Sequence, residues 1–319
     1  MKPLHLLVFV TLLFLLAACG GPADTHTPTN TLQRGLSSDP ETLDPHKARS
    51  TQAADVLRDL GEALMGYTAT GALVPAAAES WEISEDGLVY TFHLRNELRW
   101  SNGEPVIAGD FVAAMRRLVN PATAAFYAHM LASIENAEGI ISGDIPVSML
   151  GVEAPDDKTL VLRLTQRTPY LLSLLTHPST FPVHTPSLEM HGESFARPGK
   201  LVTNGAYQLE AWIPGSLIAL RRNEFYWNNA GTDIDAVNYH VIVNNAAELN
   251  RYRAGDLHIT NTVPADSFRQ VREEYGDQLR VAPYLAIYYY GFNLTKPPFK
   301  DNPPLREALS MAIDREQLT

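Results

Sequence analysis

The chain has 319 residues, 45% of them hydrophobic and 19% charged, a composition that builds a buried core and excludes a disordered polyelectrolyte. Its net charge of −11, with no cluster of Lys or Arg, excludes a surface made to neutralise nucleic-acid phosphates. The single cysteine, Cys19, allows no internal disulfide and no cysteine-based metal site.

Residues 1–18 have the order of a secretion signal: Lys2, an apolar run from Leu4 to Leu16, then Ala17 and Ala18. The apolar run is too short for a comfortable membrane span. Leu16-Ala17-Ala18-Cys19 resembles the bacterial lipobox, which makes Cys19 the lipidated mature N-terminus. Each buried acyl CH₂ contributes about 0.8 kcal/mol, so several chains on one cysteine hold a protein at a membrane. Residues 19–31 are small and polar and read as a lipidated tether.

Leu32–Leu36 is a strand candidate, followed by a turn-rich stretch through Pro40 and Pro45. A helix starts at Ser50 or Thr51, with Ala54, Leu57, Leu60 and Leu64 at helical spacing. Asp86-Gly87 marks a turn between two strands, and Tyr90, Phe92 and Leu94 alternate with polar residues as a half-buried strand does. A helix carries Val112, Met115, Leu118 and Val119, and Pro121–Ile134 reads as another. Lys158–Thr165 alternates again, Pro169–Thr176 is a short apolar helix, and 177–199 reads as loop. Tyr207–Trp212 and Leu217–Arg221 flank Pro214-Gly215 as a hairpin. Val237–Val243, Ala246–Ala254, Leu257–Thr260 and Pro264–Glu274 then alternate strand and helix, the pattern of an α/β lobe. Pro303-Pro304 opens a last helix whose Leu305, Leu309 and Ile313 need a partner, so the chain reads as truncated inside a second lobe.

Hydrolase motifs are absent: there is no Gly-x-Ser-x-Gly elbow and no His-Glu-x-x-His. His177, His184 and His191 recur at intervals of seven among prolines and read as solvated surface histidines; no metal or cofactor is expected.

Four ordered blocks carry a family resemblance. The first runs Ala78-Glu79-Ser80-Trp81, Asp86-Gly87, Tyr90–Arg95, Trp100-Ser101-Asn102-Gly103 and Asp110-Phe111. The second is Asn204-Gly205-Ala206-Tyr207 with Arg222–Asn229, and the third Asn250–Leu257. The fourth joins Pro283–Tyr290, Lys296–Phe299 and Leu305–Leu309. Together they resemble the family 5 extracytoplasmic solute-binding proteins, in their oligopeptide-binding branch.

That resemblance implies an α/β, two-lobed periplasmic binding protein-like fold. Residues 32–61 and 187–284 would form the first lobe, 62–186 an extra subdomain inserted in it, and 285–319 the crossover and the start of a truncated second lobe. It implies a monomeric, non-enzymatic receptor that binds short peptides, hands them to an ABC permease in the inner membrane, and touches the membrane through its lipid. A cell-wall peptide or dipeptide receptor, and a scaffold or chaperone, are alternatives on the same fold. The resemblance places peptide-contacting positions at Arg49, Thr51, Tyr127, Asn261, Tyr284 and Tyr289. Arg49 departs from the pattern, since enteric members carry an acidic residue there.

The lipobox reading is checked by fractionation. Cys19→Ala is expected to release the protein from membranes or block its processing; a variant processed and membrane-held as before would refute it.

Overall fold

The computed structural model describes residues 30–282, 287 and 289–318; Cys19, the expected signal and most of the expected tether lie outside them. The chain divides into two compact units between Ala265 and Asp266. Among the described residues, ten strands lie in the first unit: β1 Thr31–Leu36, β2 Met65–Tyr67, β3 Leu73–Pro75, β4 Ala78–Ile83, β5 Val89–Leu94, β6 Val152–Asp156, β7 Thr159–Arg163, β8 Tyr207–Ile213, β9 Leu217–Arg222 and β10 Ala236–Val241. The longer helices are α1 Thr51–Leu60, α2 Ala108–Val119 and α3 Asn245–Arg253 in that unit, then α4 Phe268–Tyr275 and α5 Pro303–Met311 in the second.

Two four-stranded sheets organise the first unit. One has the order β1-β10-β9-β8, with β1 parallel to β10 from Thr31↔Ala236 to Leu36↔Val241 and the other pairs antiparallel. The β8–β9 hairpin turns at Gly215, whose φ of 73° suits a residue without Cβ. Against this sheet α1 buries Ala53, Val56, Leu57 and Leu60, and Ser50 caps it by accepting the Ala53 N–H at 3.1 Å. The other sheet, β4-β5-β7-β6, is antiparallel throughout. Tyr90, Phe92 and Leu94 of β5 point inward and meet Phe111, Met115 and Leu118 of α2 in a second core. The Asp110 carboxylate closes the start of α2, accepting from Ile107 N at 3.0 Å and from Trp100 Nε1 at 3.3 Å.

The chain passes from the first core to the second at residues 60–63, and that crossing is tied on both sides. Asn204 brackets Glu62, accepting its N–H at 3.0 Å and donating to its carbonyl at 2.9 Å. Gly205 donates to the Leu60 carbonyl at 3.0 Å, and a Cβ on it would lie 2.6 Å from the Leu60 carbonyl carbon. The Glu62 carboxylate accepts from Tyr226 Oη at 2.6 Å and Trp227 Nε1 at 2.8 Å. Burial raises the Glu62 pKa, against the pull of those two donors.

A second tie is ionic. Arg117 of α2 forks onto Asp44, Nη1 to Oδ1 at 2.8 Å and Nη2 to Oδ2 at 2.6 Å, and Nη1 also lies 2.8 Å from His46 Nδ1. His46 is fully buried and reaches the Phe181 carbonyl through Nε2 at 3.2 Å. Arg117 therefore donates to Nδ1, and the neutral ring donates from Nε2. Burial, then the Arg117 charge, lowers the His46 pKa to about 4. Burial pushes the Asp44 carboxyl up, but the Arg117 hydrogen bonds and charge outweigh it and leave it below the usual range.

The structure departs from the sequence expectations in four places, the first being 177–199, read as loop, which holds the helix Thr185–His191 and 3-10 turns at Pro178–Thr180 and Gly192–Ser194. Pro121–Ile134 is not one helix; it holds short 3-10 turns at Pro121–Thr123 and Ala128–Leu131, separated by Ala124 at φ 54°, which a helix cannot include. Leu257–Thr260 makes only an isolated bridge, Arg34↔Ile259. α1 buries the expected Leu57 and Leu60 together with Ala53 and Val56, but Ala54 is only half-buried and Leu64 lies past the helix, which stops at Leu60. In the second unit α5 is capped by Asn302, whose side chain accepts the Leu305 N–H at 3.3 Å, and buries none of its residues.

The His46 shift has a definite sign. Its folded pKa lies below the unfolded value of 6.5, so its contribution to stability is complete above pH 6.5 and is lost as pH falls toward 4. At 1.36 kcal/mol per pKa unit this is on the order of 3 kcal/mol. Urea unfolding at pH 7 and 4.5 is expected to show a steeper loss in the native protein than in His46→Gln. Equal slopes would show that His46 takes no part.

Candidate functional site

Four of the six sequence-assigned contact positions lie in the first unit, around the C-terminal end of the parallel pair β1/β10. In open α/β sheets that is where ligands bind. The loop between β1 and α1 is held from inside. Glu41 accepts the backbone N–H groups of Arg49 at 2.5 Å and Ser50 at 3.0 Å, and its other oxygen accepts the Ser50 hydroxyl. Burial opposes ionisation of Glu41, but these donors together hold its pKa below the usual value. Arg49 and Thr51 are exposed at the end of this loop. Next to Thr51, Gln52 Nε2 donates to Ser37 Oγ at 2.6 Å, fastening the start of α1 to the end of β1.

Tyr127 comes from the segment that follows α2, beside the other core, and meets the loop: its hydroxyl donates to the Arg49 carbonyl at 3.3 Å. Its ring lies edge-on to His177, with centroids 4.7 Å apart, and to Phe126 at 5.0 Å. His177 Nδ1 accepts from Ser179 N at 3.2 Å, and burial, then the Arg58 charge, lowers its pKa to about 4. A cavity of about 430 Å³ opens beside this group, walled by His129, Met130, Ser133, Gln166 and Tyr170. That is within the size range of small-ligand pockets. The His129 ring stands 6.3 Å from that of Tyr127.

Asn261 follows the chain that crosses β1 at the Gly35 N–Ile259 O hydrogen bond of 2.9 Å. Its N–H donates to Glu248 Oε1 at 2.6 Å. Glu248, on α3, is completely buried, and its Oε2 has no hydrogen-bond partner among the described residues. Burial raises its pKa against the Asn261 N–H. The carboxylate fits only because position 35 is glycine: a Cβ there would lie 1.6 Å from Glu248 Oε1. Tyr289 belongs to the second unit, where its side chain is exposed, and Tyr284 lies outside the described residues.

Sequence reasoning missed Glu41, His177 and Glu248. Only His177 carried a signal, the seven-residue spacing, and it was assigned to solvated surface. That expectation is corrected for His184 also, which is buried and caps the helix Thr185–His191. His184 Nε2 is 2.6 Å from Glu104 Oε2 and Nδ1 is 2.8 Å from Ser187 Oγ, a serine–histidine–carboxylate order. Ser187 is buried, however, and the same Nδ1 accepts its backbone N–H at 3.3 Å, so the arrangement closes a helix end and exposes no hydroxyl.

A mixed sheet, a second core tied to it and a rim drawn from both define a binding-protein scaffold. Residues 72–319 match the model of the bacterial extracellular solute-binding proteins, family 5, middle region, and the chain belongs to this family. It is 42% identical to the periplasmic oligopeptide-binding protein OppA of Escherichia coli K12 over 289 residues, 90% of this chain and 53% of that protein. It is 40% identical to the probable deoxycholate-binding periplasmic protein YgiS of the same organism, over 94% of this chain and 56% of that one. The chain thus spans about half the length of the curated relatives it matches. Among solved structures it resembles Haemophilus influenzae OppA in complex with RPPGFSPFR, at 40% identity and a TM-score of 0.88, covering 91% of this chain and 57% of that one. It also resembles the Escherichia coli murein tripeptide binding protein MppA, at 37% identity and a TM-score of 0.87, with the same coverage.

The Gly35–Glu248 fit is tested by a double-mutant cycle. Gly35→Ala is expected to expel the carboxylate and cost about 1–3 kcal/mol, as overpacking does. Combined with Glu248→Ala it should cost clearly less than the sum of the single changes. Additive losses would show that the two positions are independent.

Proposed function

We propose that the chain is the ligand-capturing part of an extracytoplasmic receptor that binds short peptides for an ABC importer, anchored at the membrane through Cys19. The observation that carries this is the TM-score of 0.88 to a relative solved with a peptide bound, over 91% of this chain. Peptide lies along the rim of Arg49, Thr51, Tyr127 and Asn261, with Tyr284 and Tyr289 contributed from further along the chain. Residues 32–61 and 187–284 act as the first lobe, 62–186 as a subdomain inserted in it, and 285–319 as the crossover into the second. The receptor acts as a monomer, without catalysis.

Two features of the rim support the reading. Its backbone is fixed before ligand arrives: Glu41 holds the Arg49 and Ser50 amides and Glu248 holds that of Asn261. Ordering cost is then paid in folding rather than binding. Tyr127 is half-buried and amphipathic, with an apolar face that accepts varied side chains.

Calorimetry with mixed tri- to pentapeptides at millimolar concentration, where weak capture still registers, tests the proposal. Peptide heat is expected, and Tyr127→Ala should weaken binding about five- to tenfold, or about 1–1.4 kcal/mol. Murein tripeptide and deoxycholate form the comparison arms. Heat from deoxycholate alone, or from no ligand, would overturn the peptide reading.

A further inference from the structure

The loop that carries Arg49 has an unusual charge arrangement. Its segment, from Ser37 to Leu60, holds five carboxylates, and each is engaged elsewhere. Asp39 accepts from Trp212 and Gly215, Glu41 from backbone amides and Ser50, Asp44 from Arg117, and Asp59 from Tyr239, while Asp55 faces Arg58 and Arg34. The other cations of this stretch are paired too: Lys47 with Glu193 at 2.8 Å and Arg58 with Asp55 at 3.2 Å. The Arg49 guanidinium is exposed and has no hydrogen bond, ion pair or ring contact among the described residues.

This is not for want of a nearby acid. Glu41 touches Arg49 itself, but through the backbone N–H at 2.5 Å, and both of its oxygens are occupied by backbone and hydroxyl donors. The backbone of Arg49 is fixed at both ends, its N–H on Glu41 and its carbonyl under the Tyr127 hydroxyl. A guanidinium on a fixed backbone, with every local carboxylate spent, presents a planar fork of donors that matches a carboxylate.

We infer that Arg49 is a specificity-determining residue that selects peptides by pairing with a peptide carboxylate, either an acidic side chain or the terminal carboxylate. The inference rests on the peptide reading of the rim and adds the charge class of its ligand. Pairing at an exposed rim is modest and is screened by salt. A preference of about fivefold at low ionic strength, shrinking in salt, is the expected scale.

Amide chemical shifts of the 319-residue chain are followed during titration with Ala-Glu-Ala, Ala-Gln-Ala and Ala-Lys-Ala, each with a free and an amidated C-terminus. The native chain is expected to bind Ala-Glu-Ala about fivefold tighter than Ala-Gln-Ala, with shifts around Thr51, Tyr127 and His177. Arg49→Gln should remove that preference, and Arg49→Glu should turn it toward Ala-Lys-Ala. If amidation costs the fivefold in the native chain and nothing in Arg49→Gln, the terminal carboxylate is the partner and the inference holds. Equal binding of all peptides at this rim overturns the charge selection and leaves the peptide reading standing. A preference unchanged in Arg49→Gln overturns the role of Arg49. Shifts from no peptide overturn the peptide reading and this inference with it.

Discussion

Residues from two separate cores can form one rim only if the cores keep a fixed relation. The Tyr127–Arg49 contact spans the two, and a hydrogen bond of 3.3 Å tolerates little drift. The relation is fixed by polar groups withdrawn from solvent. Arg117 leaves the helix of one core and forks onto Asp44 of the other, while His46 completes the set by staying neutral. Such pairs add little net stability, because desolvation offsets attraction, but breaking one leaves an uncompensated buried charge. The gain lies in geometry: a directional fork admits one arrangement where apolar contact would admit several. Glu62 and Asn204 do the same at the chain crossing, with four hydrogen bonds converging on one residue.

The same economy of polar groups shapes the rim. A loop next to a helix start carries amide donors that need acceptors. Here they are met by side chains from within the segment, Ser50 for Ala53 and Glu41 for Arg49 and Ser50. The loop therefore needs no ligand to be ordered. Glu41 is occupied by those amides and Asp44, Asp55 and Asp59 by Arg117, Arg58 and Tyr239, so the Arg49 guanidinium faces solvent in a chain whose net charge is −11.

What could be read from sequence divides by range. The β8–β9 hairpin, the Asp86-Gly87 turn, the inward set of β5 and the Ser50 cap follow from local propensity and periodicity, and the structure has them all. Pro121–Ile134 reads as a helix because its alanines and its single proline at the first position permit one, while tertiary contacts at Tyr127 and Leu131 impose short turns. The fit of Glu248 against Gly35 joins residues 213 positions apart in no shared motif. Neither residue type advertises the pairing, since a glycine in a strand and a glutamate in a helix each have ordinary readings. Within the candidate site, Arg49 and Thr51 came with the family resemblance, but the reason for their rigidity, Glu41, was eight residues away and read only as turn.

The motif blocks that made the family recognisable do a particular physical job. Asn204 and Gly205 close on residues 60–62, and Asn223 Nδ2 holds the Gly205 carbonyl at 2.9 Å. Tyr226 and Trp227 bind the Glu62 carboxylate, and Arg95 lies 3.9 Å over the Trp227 ring. Trp100 and Asp110 fix the start of α2. These contacts set how the chain crosses between cores, and none of them faces the rim of Arg49, Tyr127 and Asn261. Likeness carried by such residues reports scaffold geometry. It accounts for near-equal identity, 42% and 40%, to relatives named for oligopeptide and for deoxycholate. Such residues therefore say little about ligand, and the proposed selection by Arg49 draws on none of them: it rests on an exposed guanidinium whose backbone N–H is held by Glu41.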